Sequence, residues 1–389
     1  METAVVAGDP AYDRMVRSKH LRHRYREALG IAPHQRLVTI STTWWQRSLM
    51  GSWPSLFREI VGCLDRDLYR VAALVHPNIW HGHGPWQVHT WLADCLRAGM
   101  LLPSPVEGWQ ATLLASDLVV GDHGATTAYG ACLDVPVLLA AFPETDVAPG
   151  SVGEVLGSTA PRLNRHEPLR VQLERALGSY QSGSLDAIAA LVTSCPGEAM
   201  ARLRRLFYEH LRLTEPTTGP IVPVVPADAV AGLEPPPVRA DLIACRQREQ
   251  PDRYELSRYP ADVHIDRTGS AEFDDTVLVV HEDHPDENLR RSAAGVLGGS
   301  SAELADVLRR HPQAKVAART QGAGSLVATR SGQLVELSLA DPGIAAAVVF
   351  EQLLQHRDAS ALPGEVTVAF GGEVTLVRLR SAGFVQPST

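Results

Sequence analysis

Short, continuously apolar runs alternate along the chain with segments in which apolar residues recur at helical spacing. In the first part of the chain this alternation predicts a parallel sheet with helices on both faces, because runs that are apolar throughout are typical of strands buried on both sides. The predicted strands are residues 37–41, 69–76, 100–102, 118–120 and 137–140. The predicted helices between them are residues 53–64, 86–98, 108–116 and 126–133.

The pattern changes beyond Pro161, where only helical spacing remains before a proline-rich segment that favours stiff, extended chain. The helices predicted there are residues 169–179, 185–192 and 198–213. We therefore predict a Rossmann-like doubly wound domain over residues 1–165, a helical extension over 166–213 and a proline-rich linker over 214–240.

Residues 241–389 mix both kinds of pattern and predict a second, α+β domain whose role the sequence does not indicate. Its predicted strands are residues 263–266, 276–280, 314–318, 325–329, 334–338, 366–369 and 374–378. Its predicted helices are residues 287–297, 302–310 and 342–356. Turn dipeptides at Ser331-Gly332 and Gly371-Gly372 predict two hairpins.

Composition narrows the class of protein. The 389 residues carry 44 acidic against 36 basic side chains, a formal charge of −8, which argues against nucleic acid as a partner. Five scattered cysteines without CxxC spacing indicate reduced thiols, so we expect a cytoplasmic protein. One basic stretch, residues 14–26, is a solvated helix in the simplest interpretation, or a peripheral contact with an anionic membrane surface.

Polar residues follow the predicted strands, where ligands of parallel sheets bind. Threonine and tryptophan follow the first strand, a His-Pro-Asn sequence follows the second, and the fourth runs into a polar elbow that opens a helix. Unpaired N–H groups and the positive end of the dipole at such a helix start suit a diphosphate. The donor-binding candidates are Thr43, Trp44, His76, Asn78, Trp109, Asp122, Gly124, Thr126 and Thr127, with Trp109 able to stack on a base.

The order TTWW, HPN and ASDLVVGDHGATTAYGACLDVPVLL resembles the donor-binding C-terminal half of GT-B transferases. It is most similar to the CDP-glycerol glycerophosphotransferase and UDP-N-acetylglucosamine 2-epimerase types. The resemblance covers about the first 165 residues. It implies that the Thr43-Trp44 loop, His76 and the elbow from Asp122 to Thr127 hold a nucleotide diphosphate whose sugar or polyol phosphate is transferred to an acceptor hydroxyl in envelope polysaccharide metabolism.

The chain departs from this family pattern in two places. The elbow reads Asp122-His123-Gly124-Ala125-Thr126-Thr127 where the family commonly has aspartate and two serines, which displaces the hydroxyl groups. The acceptor-binding half that precedes the donor half in GT-B enzymes is not recognised, so we expect the second domain or a separate partner chain to supply it. The alternatives are a non-catalytic nucleotide-binding or scaffold protein, and an epimerase or hydrolase that acts on the same donor.

Three residues are catalytic candidates. His76 and His123 each suit a general base that deprotonates the acceptor hydroxyl, although a phosphate ligand is the favoured role for His76 and a structural role is the third alternative. Asp122 suits a base, a sugar ligand or an N-cap. A zinc site among His76, His81, His83 and His89 is disfavoured because no cysteine or carboxylate lies among them, and we expect neither metal nor cofactor.

Overall fold

The computed structural model describes residues 4–233, 235–248, 252–264, 275–299, 303–356 and 364–384. The chain divides into two compact units. The first contains Met1–Ile60, Arg70–Leu96 and Met100–Pro235, and the second contains Val61–Tyr69, Arg97–Gly99 and Pro236–Thr389.

A four-stranded sheet organises the first unit. Its strands are β1 (Arg36–Thr42), β2 (Tyr69–Val75), β3 (Leu118–Gly121) and β4 (Val137–Leu139), in the order β2-β1-β3-β4. Strand β3 is parallel to both of its neighbours. Nearly every residue of these strands is buried, as continuously apolar runs require. The predicted Rossmann-like parallel sheet is confirmed.

Helices cover this sheet and extend the unit. They are α1 (Pro10–Ser18), α2 (Arg22–Ala28), α3 (Leu49–Ser52), α4 (Leu56–Cys63), α5 (Pro77–His83), α6 (Pro85–Trp91), α7 (Ala93–Arg97), α8 (Gly108–Ala115), α9 (Ala125–Cys132), α10 (Val152–Thr159), α11 (Leu169–Ser179), α12 (Asp186–Val192) and α13 (Ala199–Leu211). Helix α8 is buried along almost its whole length because most of its residues are apolar or small.

Several local predictions for the first unit differ from the structure. Residues 100–102 form only a single parallel bridge, between Leu101 and Ala72, and not a full strand. The helix predicted over residues 86–98 is two helices, α6 and α7, that meet at Leu92. In the segment predicted as a linker, Val225 and Val230 are buried in the core of the first unit, and the Tyr25 hydroxyl donates to the Val225 carbonyl at 2.9 Å.

The second unit is built on a closed barrel, an architecture that the α+β prediction did not include. Its strands are β5 (Ala240–Gln247), β6 (Arg253–Pro260), β7 (Thr276–His281), β8 (Gly295–Leu297), β9 (Val316–Gln321), β10 (Gly324–Thr329), β11 (Gln333–Leu337), β12 (Glu365–Phe370) and β13 (Glu373–Phe384). They follow the order β10-β11-β13-β12-β6-β5-β7-β8-β9, and β9 pairs with β10 to close the ring. The hairpins predicted at Gly332 and at Gly371-Gly372 join β10 to β11 and β12 to β13.

Three helices accompany the barrel: α14 (Glu287–Ser292), α15 (Leu304–Arg310) and α16 (Pro342–His356). Residues 344–349 of α16 are all 0% exposed and share one core cluster with inward-facing side chains such as Ile243 and Cys245. The alternate residues of β5, Leu242 and Ala244, belong to a second cluster that includes α15. Strand β5 is therefore buried on both faces, and α16 fills the interior of the barrel.

Two predictions for the second unit are wrong in detail. The helix predicted over residues 287–297 ends at Ser292, and Gly295–Leu297 instead form β8. Of the strand predicted over 263–266, Val263 lies in a short 3-10 turn and residues 265–266 lie outside the described residues.

All five cysteines are free thiols, as predicted. Among the described residues, no helix combines the length and the apolar character needed to cross a membrane.

Candidate functional site

The strand order of the first unit creates one position where a ligand is expected. The chain moves outward from β1 through β2 to the Leu101 bridge on one side, and from β3 to β4 on the other. The loops that follow β1 and β3 therefore diverge and leave a crevice at the carboxyl ends of the strands. A cavity of ≈ 230 Å³ lies there, and we call it the switch-point cavity. The predicted residues that line it are Thr43, Trp44, His76, Trp109, Gly124 and Thr126.

Asp122 lies beneath this cavity and is 0% exposed. One carboxylate oxygen accepts hydrogen bonds from the Thr43 N–H at 2.7 Å, the Thr43 hydroxyl at 2.8 Å and the Leu49 N–H at 3.0 Å. The other oxygen accepts from the Gly124 N–H at 3.1 Å. Because both oxygens are engaged, the side chain ties the loop after β1 to the loop after β3 and sets the shape of the cavity.

Helix α9 begins at the edge of the cavity with Gly124 as its N-cap residue. Within the described part of the chain no side chain caps this helix start, so the first N–H groups remain available to a ligand. Gly124 is required by space, because a Cβ there would lie 2.3 Å from Cγ2 of Thr43. Gly124, Ala125 and Thr126 all line the cavity, which places the positive end of the helix dipole against it.

Thr127 is oriented away from the cavity. It is 0% exposed and packs over Gly121, where an added Cβ would lie 2.2 Å from the Thr127 hydroxyl oxygen. That oxygen has no hydrogen-bond partner among the described residues. Of the two predicted threonines, the structure therefore brings Thr126 to the cavity and uses Thr127 to pack the turn.

His76 caps helix α5. Its Nδ1 accepts a hydrogen bond from the Asn78 N–H at 3.1 Å, and its ring stacks on Trp44 with 6.4 Å between centroids. Burial lowers the pKa of His76, and the charge of Asp122 opposes this shift only in part. At neutral pH the ring is therefore neutral, and because Nδ1 accepts, the proton is on Nε2. In this state His76 donates a hydrogen bond and has no free lone pair for a base.

Another part of the lining comes from the chain that follows the Leu101 bridge. Pro103 and Pro105 line the cavity beside Trp109, whose ring packs against Tyr129 at a centroid distance of 5.5 Å. Sequence reasoning identified Trp109 but not the two prolines. Their Pro-x-Pro spacing after an apolar run was the available signal.

A second, larger cavity of ≈ 820 Å³ also lies in the first unit, and we call it the tryptophan cavity. Trp44 lines both cavities. Asn78, predicted as a donor ligand, lines the tryptophan cavity and not the switch-point cavity. Trp45 and Trp91, which also line the tryptophan cavity, were not predicted as site residues.

His123, the other candidate base, is absent from the lining of both cavities. Its ring meets Phe142 edge-on at 6.5 Å, and its Nδ1 is buried without a hydrogen-bond partner in the described chain. Over the ranges that the structure describes, no group of three or more His, Cys, Asp or Glu side chains is placed to hold a metal ion.

The basic segment over residues 14–26 is partly used inside the fold. Arg22 and Arg26 form ion pairs with Asp117 at 2.7 and 2.8 Å, and the Leu37 N–H also donates to this carboxylate at 2.7 Å. Burial would raise the pKa of Asp117, but the Leu37 hydrogen bond and the two guanidinium groups outweigh it and lower the pKa. These arginines therefore fasten α2 to the start of β1.

No protein-family model matches the chain, and no curated protein matches it. Similar solved structures include the wall teichoic acid polymerase TagF, at 16% identity and a TM-score of 0.36, over 54% of this chain and 52% of that one. They also include a glycosyltransferase from Rickettsia africae ESF-5, at 11% identity and a TM-score of 0.35, over 54% and 57% of the two chains. A third is the UDP-GlcNAc 2-epimerase from Neisseria meningitidis, at 14% identity and a TM-score of 0.31, over 54% of each chain.

The chain thus spans about half the length of the solved structures that it matches. The polymerase and the epimerase are of the two types that the sequence motifs resemble.

Proposed function

We propose that the first unit binds a nucleotide-diphosphate donor, a sugar or polyol derivative, in the switch-point cavity for GT-B-like transfer to an acceptor hydroxyl. The observation that carries this proposal is the uncapped start of α9 facing a cavity that His76 also lines. Backbone N–H groups, the Thr126 hydroxyl and the His76 Nε2–H are all donors, which is the set that a diphosphate requires.

The same donors would act on the reaction. When the acceptor oxygen forms its bond to the transferred group, the bond to the nucleotide phosphate breaks and negative charge grows on that phosphate. Fixed donors at the start of α9 and at His76 stabilise this charge without reorganising. Trp109, which also lines the cavity, would stack on the base.

The proton of the acceptor hydroxyl needs a base, and His76 and Asp122 do not offer one in the observed geometry. Nδ1 of His76 is engaged with Asn78, and both oxygens of Asp122 accept hydrogen bonds. We therefore place the base on the acceptor side, supplied by another part of the protein or by a partner chain. Envelope polysaccharide metabolism, suggested by the motif resemblance, stays part of the proposal.

The engagement of these two side chains also favours one alternative, a nucleotide-binding protein without turnover. The alternatives separate by measurement. A transferase and a non-catalytic binding protein would both bind nucleotides. Only the transferase would release UDP from a UDP-sugar, or CMP from CDP-glycerol, when an acceptor is added. Hydrolysis of the donor without an acceptor would support the hydrolase hypothesis. Conversion of one UDP-sugar to another would support the epimerase hypothesis.

Binding is tested first by thermal unfolding of the full chain with UDP, CDP, UDP-N-acetylglucosamine and CDP-glycerol. A ligand present at 100 times its Kd stabilises the folded state by about 2.7 kcal/mol, so a genuine ligand gives a clear rise in Tm. The Thr126→Val and His76→Ala variants should reduce this rise, whereas Thr90→Val and His23→Ala, which alter exposed side chains away from the cavity, should not. If no compound raises Tm, the proposal is wrong.

A further inference from the structure

The tryptophan cavity is not explained by the binding of a nucleotide diphosphate. Three tryptophan side chains line it while remaining largely open to solvent: Trp44 is 46% exposed, Trp45 69% and Trp91 41%. Large aromatic rings are usually buried, so several of them exposed around one concave surface mark a binding site.

One of these three residues, Trp45, has an uncommon backbone conformation. Trp45 has φ of 92°, in the left-handed region that favours glycine. Its carbonyl oxygen accepts hydrogen bonds from the Ser48 N–H at 3.2 Å and the Ser48 hydroxyl at 2.7 Å. Gly51 packs against the same oxygen, where a Cβ would lie only 2.4 Å away. The backbone conformation of Trp45 is therefore held by several neighbours.

The lining of the cavity indicates the chemistry of the ligand. Its apolar part includes Phe57, Ile79 and Leu92. Its polar part includes Gln46, Asn78, His81 and His83.

The guanidinium of Arg58, which lines the cavity, already pairs with the buried carboxylate of Asp94. Because this cation has a partner, the lining does not select an anion. A purely apolar chain would leave the amides and imidazoles without partners, which is costly. A neutral carbohydrate fits both parts, since its C–H faces stack on indole rings while its hydroxyl groups meet the polar side chains.

We propose that the tryptophan cavity binds a neutral carbohydrate that serves as the acceptor, a role that rests on the proposed transferase function. Trp44 lines both cavities and stacks on His76, so a sugar against Trp44 has a hydroxyl at the boundary of the switch-point cavity. The first unit then contains both a donor and an acceptor subsite.

Tryptophan fluorescence and calorimetry of the full chain test this proposal with methyl β-glucoside, N-acetylglucosamine, cellobiose and chitobiose as probes. We expect at least one sugar to bind saturably and binding to weaken at least tenfold in Trp45→Gly. Glycine suits the backbone at this position, so this variant should fold. Trp91→Ala should weaken binding too, while Trp86→Ala, which removes a 76% exposed ring outside the cavity lining, should not.

Several results would overturn the carbohydrate assignment: no saturable sugar binding, equal loss in Trp45→Gly and Trp86→Ala, tighter binding of farnesol than of any sugar, or displacement of the sugar by UDP or CDP. The nucleotide-induced rise in Tm is measured separately on the same variants. If that rise persists in Trp45→Gly while sugars fail to bind, only the acceptor proposal is lost. If sugars bind but no nucleotide does, the cavity binds carbohydrate and the acceptor role is lost with the transferase function.

Discussion

The sheets of the two units differ, because one is open and the other is closed into a barrel. In the first unit the sheet is open, and the loops that follow β1 and β3 diverge and leave a crevice lined by polar residues. In the second unit the sheet closes on itself, and the buried residues of α16 fill its interior. An open parallel sheet thus provides a crevice for a ligand, whereas the inward-facing side chains of the closed barrel pack against α16 and one another.

The distribution of tryptophan follows the same division. All seven tryptophans lie in the first unit, between Trp44 and Trp109, and the sequence beyond them has none. Trp44 and Trp45 lie in the loop after β1, and Trp80, Trp86, Trp91 and Trp109 lie in helices. The buried cluster of the barrel consists mainly of valine, alanine and leucine. Tryptophan emission therefore reports the folding of the first unit alone, and far-UV circular dichroism reports both.

The largest effect is expected where the barrel is filled. Ala346 of α16 is 0% exposed, and a Cβ added at Gly295 of β8 would lie 3.7 Å from its Cβ. Ala346→Arg places an unpaired charge and a large side chain in this space. We expect a loss of more than about 4 kcal/mol in the free energy of unfolding of the second unit, measured by urea titration of the circular dichroism signal.

The control is Leu354→Arg, which adds the same side chain at a 64% exposed position of the same helix. It should change the unfolding free energy by less than about 0.5 kcal/mol. If the two variants were equally stable, the barrel interior would tolerate an arginine as well as its surface does. The contrast between a filled barrel and an open sheet would then be wrong.

The crevice of the first unit should depend on a single polar residue. Asp122→Asn replaces one acceptor oxygen with an N–H₂ group that faces the N–H groups of Thr43 and Leu49 or of Gly124. We expect a loss of about 3 kcal/mol, measured by urea titration of tryptophan emission, because buried donors lose their partners. Nucleotide affinity should fall at least tenfold as the loop after β1 moves.

The exposed Asp228 offers a matched control, since Asp228→Asn makes the same chemical change away from the crevice. Its unfolding free energy and its nucleotide affinity should equal those of the unsubstituted protein. If Asp122→Asn behaved in the same way, the crevice would not be organised by this carboxylate.

The sequence predicted the open sheet better than the barrel for a physical reason. Strands buried on both faces are continuously apolar, so β1 to β4 could be identified one at a time, within a residue or two of their ends. The local pattern, by contrast, does not predict strands β5 and β6, and it predicts a helix that includes the residues of β8. Gly295–Leu297 becomes a strand only through parallel pairing with β7 and β9, which is information that a local pattern does not contain.

The site shows the same limit at the level of single atoms. Residue type and position in the sequence predict Thr126, His76 and Asp122 as site residues. They do not predict which atoms of these residues remain free to contact a ligand. The Asn78 N–H fixes the tautomer of His76, and three backbone N–H groups occupy Asp122. Those bonds depend on loop geometry, so only the structure distinguishes a hydrogen-bond donor from a base at His76.

A smaller effect is expected where α2 is fastened to the sheet of the first unit. Asp117→Asn removes the partner of Arg22 and of the largely buried Arg26. We expect a loss of about 2 kcal/mol in the free energy of unfolding at pH 7, measured by tryptophan emission, less than for a fully buried pair because Asp117 is partly solvated.

The pH dependence of this loss has a defined sign. The pKa of Asp117 is lowered in the folded state, so its contribution is complete above its unfolded pKa, about 4, and disappears as the pH falls through the folded value. The difference between the unsubstituted protein and Asp117→Asn should therefore shrink below about pH 4. Arg17→Gln, which removes an exposed charge of the same basic segment, serves as the control. A difference that stays constant with pH would mean that the ion pairs contribute nothing.

The smallest effect distinguishes the structural role of His76 from its proposed role in binding. Its pKa is lowered in the folded state, so its contribution to stability is complete above the unfolded pKa of about 6.5 and is lost as the pH falls through the folded value. Because the ring is partly exposed, we expect less than about 1 kcal/mol. Asparagine can cap α5 without titrating, so His76→Asn should retain stability at pH 7 and lose this pH dependence. Nucleotide affinity should nevertheless fall about tenfold with loss of the Nε2–H donor. Urea titrations from pH 8 to pH 5 and nucleotide titrations at pH 7 measure the two roles separately, and parallel pH profiles for the two proteins would show that His76 is not the titrating group.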